Sequence, residues 1–494
     1  MTRVPHALAV LLAIALTAVA APHATAQDGP RNYFSPNGGG AEAVAAMIDG
    51  ATSTVDVAMY SITTNASNPI WPALQRAVAR NVRVRVLLDQ ATSSNKSKAD
   101  ALAAIGVHVY GVGSTTLHEK YAIVDAGKPT ARLSNGSANW SLGAMTRYSE
   151  NTVLWGRNDA LIASFQTDFD RLLMTKGKAL SANAAQHKVA TALPLVPPGA
   201  RMEEALFTSA NTSTSTIVAD RIIQRIAAAQ TSIYIDVAHY NAKTIAAALI
   251  KLHRDKPAVK IEVLLDLGEF GDSKSRSKEL ERAGIPCRYK TYSLVYLQPR
   301  AQLMHHKTLI VDEKRVVSGS YNWSDTAEKN NFENVVDIDG SSGPNAALVA
   351  SYVAEHRKLW DLNRDVYARF RAAMLATPTN AAIYKKIIPV HFDTPYFNTI
   401  MTLTRAEITP VRAVAFAAGI LERKPDGSTK YHNDATYLDR DAKVPYAGSV
   451  QGKFLDANAV TPPVTNSGPA PTPTPNGTGG NNGLVDGLDA PPGQ

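Results

Sequence analysis

The fold of this chain is indicated by the segment HHKTLIVDEKRVVSGSYN, residues 305–322, and by an earlier copy of it, HEKYAIVDAGKPTARLSNGSAN, residues 118–139. Both copies place His, Lys and Asp at the same spacing and follow them with Gly-Ser-x-Asn. Both copies are then followed by a Glu-Asn pair, at 150–151 in the first and at 333–334 in the second. A motif that recurs with equal internal spacing indicates a duplicated structural unit.

The duplication extends outward from these motifs into apolar runs. The run VDVAMY at 55–60 corresponds to IDVAHY at 235–240, and VRVRVLLD at 82–89 corresponds to VKIEVLLD at 259–266. Short runs rich in β-branched residues predict buried strands. Amphipathic segments around them predict helices at 41–49, 70–80, 217–229 and 243–254. The predicted fold class is therefore α/β, with two tandem α/β sandwich halves that each contain βαβ units.

The remaining segments differ from the repeats in composition. Residues 1–26 combine a basic residue, an uncharged apolar stretch and a final Ala-Thr-Ala. This pattern predicts a cleaved secretory signal peptide and hence a secreted or periplasmic protein without a transmembrane segment. The halves are expected at 27–178 and 200–376. Residues 377–460 contain no repeat and form an appended region of unknown role, and residues 461–494, rich in Pro, Gly, Thr and Asn, predict a disordered tail.

Composition and charge set broad limits. A chain of 494 residues exceeds the size of one hydrophobic core, and 45% hydrophobic with 19% charged residues is typical of a globular protein. The formal net charge of +8 favours anionic partners, and nucleic acid, an acidic membrane surface and free phosphoesters satisfy it equally. Cys287 is the only cysteine. No disulfide can form within the chain, and we interpret Cys287 as a small, partly buried hydrophobic residue.

The motif predicts which side chains share one face. Side chains two positions apart on a strand point to the same side, so the histidine and lysine of each motif should lie together. The residue between them, Glu119 in the first copy and His306 in the second, should point away. This placement makes His306 a spectator despite its position beside the motif.

These residue types suit the hydrolysis of a phosphodiester. Negative charge grows on the non-bridging oxygens, so converging lysine and asparagine donors would stabilise the transition state. One histidine must be neutral to attack phosphorus and the other protonated to release the leaving group, which predicts a bell-shaped pH profile. A carboxylate at the far nitrogen of a histidine would orient it. The candidate catalytic residues are His118, Lys120, Asp125, Glu150, His305, Lys307, Asp312 and Glu333, and the candidate substrate-binding residues are Lys120, Ser137, Asn139, Lys307, Ser320 and Asn322.

Two further expectations concern the same motifs. Asp125 and Asp312 could instead anchor the motif strand to neighbouring backbone. No metal and no cofactor are expected, because the sequence contains no Cys/His cluster at zinc spacing and no calcium-binding loop.

The pattern His-x-Lys-x4-Asp-x6-Gly-Ser-x-Asn resembles the signature of the phospholipase D superfamily. The second copy matches it throughout, whereas the first has ten residues instead of six between Asp125 and Gly136. The resemblance covers residues 31–362. It implies two α/β halves related by a pseudo-twofold axis, one active site between them and a covalent phosphohistidine intermediate. It also implies that His118 is the nucleophile and His305 the general acid, with the reverse assignment open.

The resemblance specifies the reaction more closely than the substrate. An exported phospholipid hydrolase is the first hypothesis, because a nine-residue insertion in the second copy could make peripheral contact with a membrane; its apolar residues are Tyr292, Leu294, Val295, Tyr296 and Leu297. An exported nuclease is the second, because basic residues after matching strands could follow a nucleic-acid backbone; they are Lys96, Lys98, Lys274, Arg276 and Lys278. A phosphatidyltransferase and a non-enzymatic phosphate-binding module stay open. The expected state is a monomer that binds an anionic phosphodiester.

Overall fold

The structure is a computed structural model. It describes residues 29–36, 38–90, 95–184, 202–212, 216–266, 269, 272, 274–290, 303–360 and 372–384, with short pieces at 410, 413–414, 421–423 and 429–431. The predicted signal peptide, the predicted tail, the apolar cluster 292–297 and most of the appended region lie outside these residues. The expectations about those segments therefore stay predictions.

Nineteen strands are described, most of them in two large sheets. They are β1 Arg31–Ser35, β2 Thr54–Met59, β3 Arg83–Asp89, β4 His108–Val112, β5 Thr116–Leu117, β6 Lys120–Val124, β7 Arg132–Gly136, β8 Glu150–Trp155, β9 Lys178–Ala179, β10 Glu203–Phe207, β11 Ser232–Val237, β12 Lys260–Leu265, β13 Cys287–Tyr289, β14 Lys307–Val311, β15 Arg315–Gly319, β16 Asn331–Phe332, β17 Asn334–Asp339, β18 Leu421–Arg423 and β19 Thr429–Tyr431. The first sheet has the order β1-β8-β7-β6-β2-β3-β4-β9, and the second has β10-β17-β15-β14-β11-β12-β13. The strand orders correspond position by position, except that the first sheet adds β9.

The helices connect and cover these sheets. They are α1 Gly40–Asp49, α2 Ile70–Ala79, α3 Asn95–Ala104, α4 Leu142–Thr146, α5 Asp159–Thr175, α6 Ile217–Ala228, α7 Lys243–Asp255, α8 Ser277–Arg282, α9 Asp325–Asn330, α10 Asn345–Trp360 and α11 Pro378–Tyr384. Helix α2 joins the parallel pair β2 and β3, and α7 joins the parallel pair β11 and β12. Both halves therefore contain the predicted βαβ unit, and the prediction of two tandem α/β halves is confirmed.

The core is arranged in layers around the two sheets. Apolar side chains of α1 to α3 pack on the outer face of the first sheet, and those of α6 to α8 pack on the outer face of the second. A central cluster joins α5 and α10 to both sheets and includes Phe165, Phe169 and Tyr352 from the helices. The strand runs are predominantly apolar because helices cover both faces of each sheet. Among the described residues, no helix combines the length and apolar composition that a membrane crossing requires.

The two halves neutralise a buried aspartate at the same strand position with different cations. In the first half, Arg85 donates to both carboxylate oxygens of Asp56 at 2.7 and 2.6 Å. In the second half, His356 Nδ1 lies 2.8 Å from Asp236 Oδ1, and its Nε2 lies 3.3 Å from Glu262 Oε2. Burial lowers the pKa of His356, but the two carboxylates outweigh burial and raise that pKa to about 9. His356 is therefore a buried imidazolium at neutral pH.

This imidazolium should make the stability of the protein depend on pH. Because the pKa of His356 is higher in the folded chain than its usual value of 6.5, the stabilisation is complete below pH 6.5 and is lost as pH rises through about 9. We expect the free energy of unfolding to fall by about 2 to 3 kcal/mol over that interval. Denaturant titrations at a series of pH values measure it. A His356→Gln variant should lose this pH dependence, and an unchanged slope in the variant would assign it to other groups.

Candidate active site

The two halves meet where their motif strands begin. The short strand β5 pairs in parallel with β16 of the other half, and Ser149 forms the corresponding bridge with Met304. The backbone N–H of His118 donates to the carbonyl of Phe332 at 3.0 Å, and that of His305 donates to the carbonyl of Ser149 at 2.9 Å. The main chain of each motif histidine is thus fixed by the opposite half. Both motifs are thereby brought to one junction.

The expectation that the histidine and lysine of each motif share one face stays a prediction. Strands β6 and β14 begin at Lys120 and Lys307, so each histidine lies in the connection just before its strand. The histidines leave the sheet because their backbone pairs across the junction with the other half. The lysines nevertheless lie beside them. Lys120 Nζ donates to the carbonyl of His118, and Lys307 Nζ donates to that of His305 at 2.7 Å.

The motif histidines pair with carboxylates from the opposite halves. Nδ1 of His118 lies 2.9 Å from Oε2 and 2.8 Å from Oε1 of Glu333. Nδ1 of His305 lies 2.7 Å from Oε1 of Glu150, although this contact is not aligned as a hydrogen bond. All four side chains are buried. The sequence identified both carboxylates but not this crossing, in which each motif histidine contacts the glutamate of the opposite half.

The serine of each Gly-Ser-x-Asn segment forms hydrogen bonds with the Glu-Asn pair that follows it. Ser320 Oγ donates to Glu333 Oε2 at 2.6 Å and accepts from the backbone N–H of Asn334 at 3.0 Å. Both contacts lie within the protein, and the expectation that Ser320 binds substrate stays a prediction. Ser137 Oγ accepts from the backbone N–H of Asn151 at 2.9 Å. Its role in binding stays a prediction.

The asparagines of these segments present unpaired amide atoms. Asn139 and Asn322 are each only 2% exposed. Among the described residues, neither amide atom of Asn139 has a hydrogen-bond partner, and Oδ1 of Asn322 also has none. Buried polar atoms without partners are costly, so these amides are suited to complete their hydrogen bonds with a ligand. A cavity of about 110 Å³ is lined by Asn139 but by none of the motif histidines or lysines.

Two buried lysines supply positive charge at the junction. Lys120 is 2% exposed and Lys307 is 1% exposed. Lys120 Nζ also lies 5.2 Å from the ring centroid of Tyr60, within cation–π range. In the described ranges, no group of three or more His, Cys, Asp or Glu side chains is arranged to hold a metal ion. The arrangement can therefore place two amines against a bound phosphate group.

The environment holds both motif histidines in the neutral form when no anion is bound. Burial is the largest influence on the pKa of His118. The Glu333 carboxylate opposes it and the two lysines reinforce it, so that this pKa falls to about 4. Burial and the same lysines lower the pKa of His305 well below its usual range. An incoming phosphate would add the negative charge that a protonated histidine requires.

Asp125 and Asp312 lie at the other end of the motif strands, so their assignment as catalytic residues is corrected. Their carboxylates accept hydrogen bonds from the successive backbone amides 52–54 and 230–232, which lead into β2 and β11. Burial would raise the pKa of both carboxyls, but these hydrogen bonds outweigh it and hold the pKa below the ordinary value. Five residues of extended chain separate Asp125 from Lys120, a span of roughly 16 Å. Both aspartates therefore anchor the motif strand to its neighbour.

The residues between histidine and lysine face the central layer. Glu119 is buried next to Asp168 of α5, and burial together with this second carboxyl raises the pKa of Glu119 well above its usual range. His306 packs edge-on against Phe34 at 5.7 Å between ring centroids. Both side chains point away from the lysines, as side chains at alternate positions should. The spectator role of His306 stays a prediction.

Three residues near the histidines were not identified from the sequence. The ring of Tyr60 lies 5.0 Å from that of His118, and the ring of Tyr148 lies 6.1 Å from that of His305. His239 is close enough to lower the pKa of His305. Tyr60 and His239 lie in the repeated apolar runs that identified β2 and β11. Each of these two residues lies in the same half as the histidine that it approaches. Tyr148 instead reaches His305 across the junction between the halves, which the repeat alone does not specify.

Similarity to a known family extends over both halves of the chain. The chain matches the family model described as cardiolipin synthase, PLD-like domain, over residues 44–173 and 222–360, which together make up more than half of its length. It is 30% identical over 141 residues to a mitochondrial cardiolipin hydrolase of Danio rerio, covering 28% of this chain and 56% of the relative. It is 32% identical over 118 residues to a phospholipase D of Rickettsia prowazekii (strain Madrid E), covering 24% of this chain and 53% of the relative. The chain thus spans little more than half the length of these relatives.

One solved structure matches part of the chain. The crystal structure of Nuc from Salmonella typhimurium, a phospholipase D family member, shares 24% sequence identity and covers 32% of this chain and 93% of that chain, with a TM-score of 0.27. Each of the two family-model matches contains one complete copy of the motif, His118 to Asn139 or His305 to Asn322. The chain therefore belongs to the phospholipase D-like family, with two copies of its domain in tandem.

Proposed function

We propose that this protein is a phospholipase D-type phosphodiesterase that cleaves its substrate through a phosphohistidine intermediate without a metal ion. The observation that carries this proposal is the pair of crossed histidine–carboxylate contacts beside two buried lysines. A histidine oriented through Nδ1 presents its Nε2 for chemistry. The lysines can stabilise the charge that develops on the non-bridging oxygens.

In the first step, Nε2 of His118 attacks phosphorus and the bond from phosphorus to the leaving oxygen breaks. His305, protonated while the phosphate anion is bound, transfers its proton to that oxygen. The assignment is supported by Nε2 of His118, which is buried and has no hydrogen-bond partner among the described residues. Glu333 compensates the positive charge that forms on the His118 ring.

In the second step, water attacks the phosphorus of the phosphohistidine and the phosphorus–nitrogen bond breaks. His305 accepts a proton from the attacking water and is ready for the next cycle. An alcohol in place of water would yield a transfer product by the same route, which is the phosphatidyltransferase alternative. The first step needs a neutral His118 and a protonated His305, and these opposite protonation states support the expected bell-shaped pH profile of the rate.

A phospholipid is the substrate class that we infer. The relatives are named cardiolipin hydrolase and phospholipase D, and both names refer to phospholipid cleavage. Two of the basic residues that suggested the nuclease alternative form ion pairs at the surface. Lys96 pairs with Asp100 at 3.5 Å, and Arg276 pairs with Glu279 at 3.3 Å. We further propose an exported monomer that contacts the membrane surface peripherally.

A competition assay tests the reaction and the substrate class together. Purified protein is incubated with phospholipid vesicles and with single-stranded and plasmid DNA, with and without a metal chelator. We expect release of lipid headgroup at the same rate in chelator, with the DNA left intact. Cleavage of DNA alone would move the proposal to a nuclease, and loss of activity in chelator would overturn metal independence. Absence of turnover on every substrate would favour the phosphate-binding module.

A further inference from the structure

His239 is a partly exposed histidine beside the second motif that the mechanism does not use. Strand β11 pairs in antiparallel register with β14, and the backbone N–H of Ala238, which directly follows β11, donates to the carbonyl of His306 at 3.1 Å. The pairing therefore continues past the strand ends, and one residue further His239 stands opposite His305. Residues opposite each other in such a pair have Cβ atoms about 5 Å apart and on one face.

The side chain of His239 lies on the face of the sheet that carries the motif lysine. Lys307 pairs with Val237, which belongs to the apolar cluster on the outer face of the second sheet. Side chains two positions apart point to the same side, so His239 follows Val237. The electrostatics agree with this placement: burial is the largest cause of the lowered pKa of His305, and the charge of His239 is among those that lower it further.

A carboxylate holds the imidazole of His239 in one orientation. Nδ1 of His239 lies 3.2 Å from Oε1 of Glu269, and Oε2 of Glu269 accepts from the backbone N–H of Tyr240 at 3.1 Å. An ionised carboxylate only accepts hydrogen bonds, so Nδ1 is the donor and Nε2 of the neutral ring is an acceptor. The side chain of His239 is 30% exposed, which gives water access to this ring.

This histidine–glutamate dyad has no counterpart at the corresponding position of the first half. By the register of β2 and β6, the residue there is Ser61. Ser61 is buried, and its hydroxyl accepts a hydrogen bond from Nζ of Lys98 at 3.2 Å. A requirement of the shared fold would recur in both halves. The dyad therefore indicates a role on the His305 side of the site, where the attacking water gives up its proton.

We propose that His239 selects water over alcohols as the acceptor in the second step, so that the protein hydrolyses its substrate instead of transferring it. The attacking water donates one hydrogen to Nε2 of His305 and the other to Nε2 of His239. His305 takes its proton while the new phosphorus–oxygen bond forms and the phosphorus–nitrogen bond breaks. The hydrogen that faces His239 stays on the oxygen.

An alcohol cannot make both of these hydrogen bonds, because it has a single O–H group. If that group donates to His305, the lone pair of His239 Nε2 is left facing carbon, and an acceptor without a partner is costly. A site that binds a hydrogen discriminates strongly against an analogue that lacks it. This inference rests on the phosphohistidine reaction proposed above and adds the choice of acceptor to it.

The test measures which acceptor takes the phosphoryl group when bis(p-nitrophenyl) phosphate is turned over in buffer that contains ethanol. Hydrolysis yields p-nitrophenyl phosphate and transfer yields ethyl p-nitrophenyl phosphate, which liquid chromatography separates. We expect His239→Phe, which keeps an aromatic ring without the acceptor, to raise the ratio of transfer to hydrolysis by about 10-fold. The first release of p-nitrophenolate should change by less than about twofold, because it precedes the attack of water. His239→Gln should restore part of the preference, since its amide oxygen accepts hydrogen bonds.

Replacement of Glu269 by glutamine tests the orientation of the ring. The backbone N–H of Tyr240 needs an acceptor, so the new amide turns its oxygen to Tyr240 and its NH2 group to Nδ1 of His239. His239 then carries its proton on Nε2 and donates to either acceptor's oxygen, which removes the advantage of water. The ratio should rise as in His239→Phe, and an unchanged ratio would overturn the role of the dyad.

The matched control is Ser61→Ala, at the corresponding position of the first half, which should leave the ratio unchanged. An equal rise in Ser61→Ala would overturn the assignment to His239. A merely structural His239 would slow the first release and both product channels alike, and that result would overturn the inference while the reaction stands. Wild-type protein that does not turn over the diester at all would refute the proposed function and this inference together.

Discussion

Replacement of His118 by asparagine is expected to lower kcat by about 10³-fold or more on every substrate, because no phosphohistidine can form. Replacement of His305 by asparagine should cause a similar loss on phospholipid, whose alkoxide leaving group needs a proton. With bis(p-nitrophenyl) phosphate the two variants should differ, because p-nitrophenolate leaves without protonation. His305→Asn should then release a burst of p-nitrophenolate, measured by stopped-flow absorbance, and accumulate a phosphorylated His118 peptide detectable by mass spectrometry.

The neighbouring His306 provides a matched control, since it is a buried histidine at the same strand end that faces the central layer. His306→Asn should retain turnover if it folds, which circular dichroism checks. A burst in His118→Asn instead of His305→Asn would exchange the two roles. Full activity in both His118→Asn and His305→Asn would refute catalysis by the motif.

Replacement of Glu333 by glutamine is expected to reduce kcat by about 10² to 10⁴-fold, since the carboxylate both orients His118 and compensates its positive charge. Glu333 raises the pKa of His118, so its removal should lower that pKa below its value of about 4. The pKa of His305 should not move. NMR titration of the histidine ring nitrogens measures both groups in the same sample.

The corresponding variant is Glu150→Gln. Glu150 lies in the first half, but its side chain contacts His305 of the second. It should change the titration of His305 and leave that of His118 as it is. If each glutamine variant instead perturbed the histidine of its own half, the crossed arrangement would be refuted.

The repeat was enough to predict the architecture, because the same apolar runs and motif spacing occur twice. It also identified His118, His305 and their lysines. A reaction that uses two histidines and two lysines places the same residue types at matching positions of both copies. The assignment of Asp125 failed for a physical reason. A short spacing in sequence becomes a long distance when the residues lie on an extended strand. The carboxylate of Asp125 accepts hydrogen bonds from backbone amides at the far end of that strand.

The residues that depend on the packing of one half against the other could not be predicted. A repeat alignment relates Glu150 to Glu333 but does not indicate which histidine each one reaches. Ser320 was predicted to bind substrate, and the alignment gave no sign that its hydroxyl donates to Glu333.

The ladder between Thr116–Leu117 and Asn331–Phe332 has a consequence for recombination between relatives. A slip of one residue in this pairing would remove the carbonyl of Phe332 from His118 and turn alternate side chains to the other side, Glu333 among them. Chimaeras that exchange one whole half would therefore remain active only if both parent proteins form the same pairing between these two short strands. We therefore expect the two halves to be exchangeable only as a matched pair, as the subunits of an obligate heterodimer are.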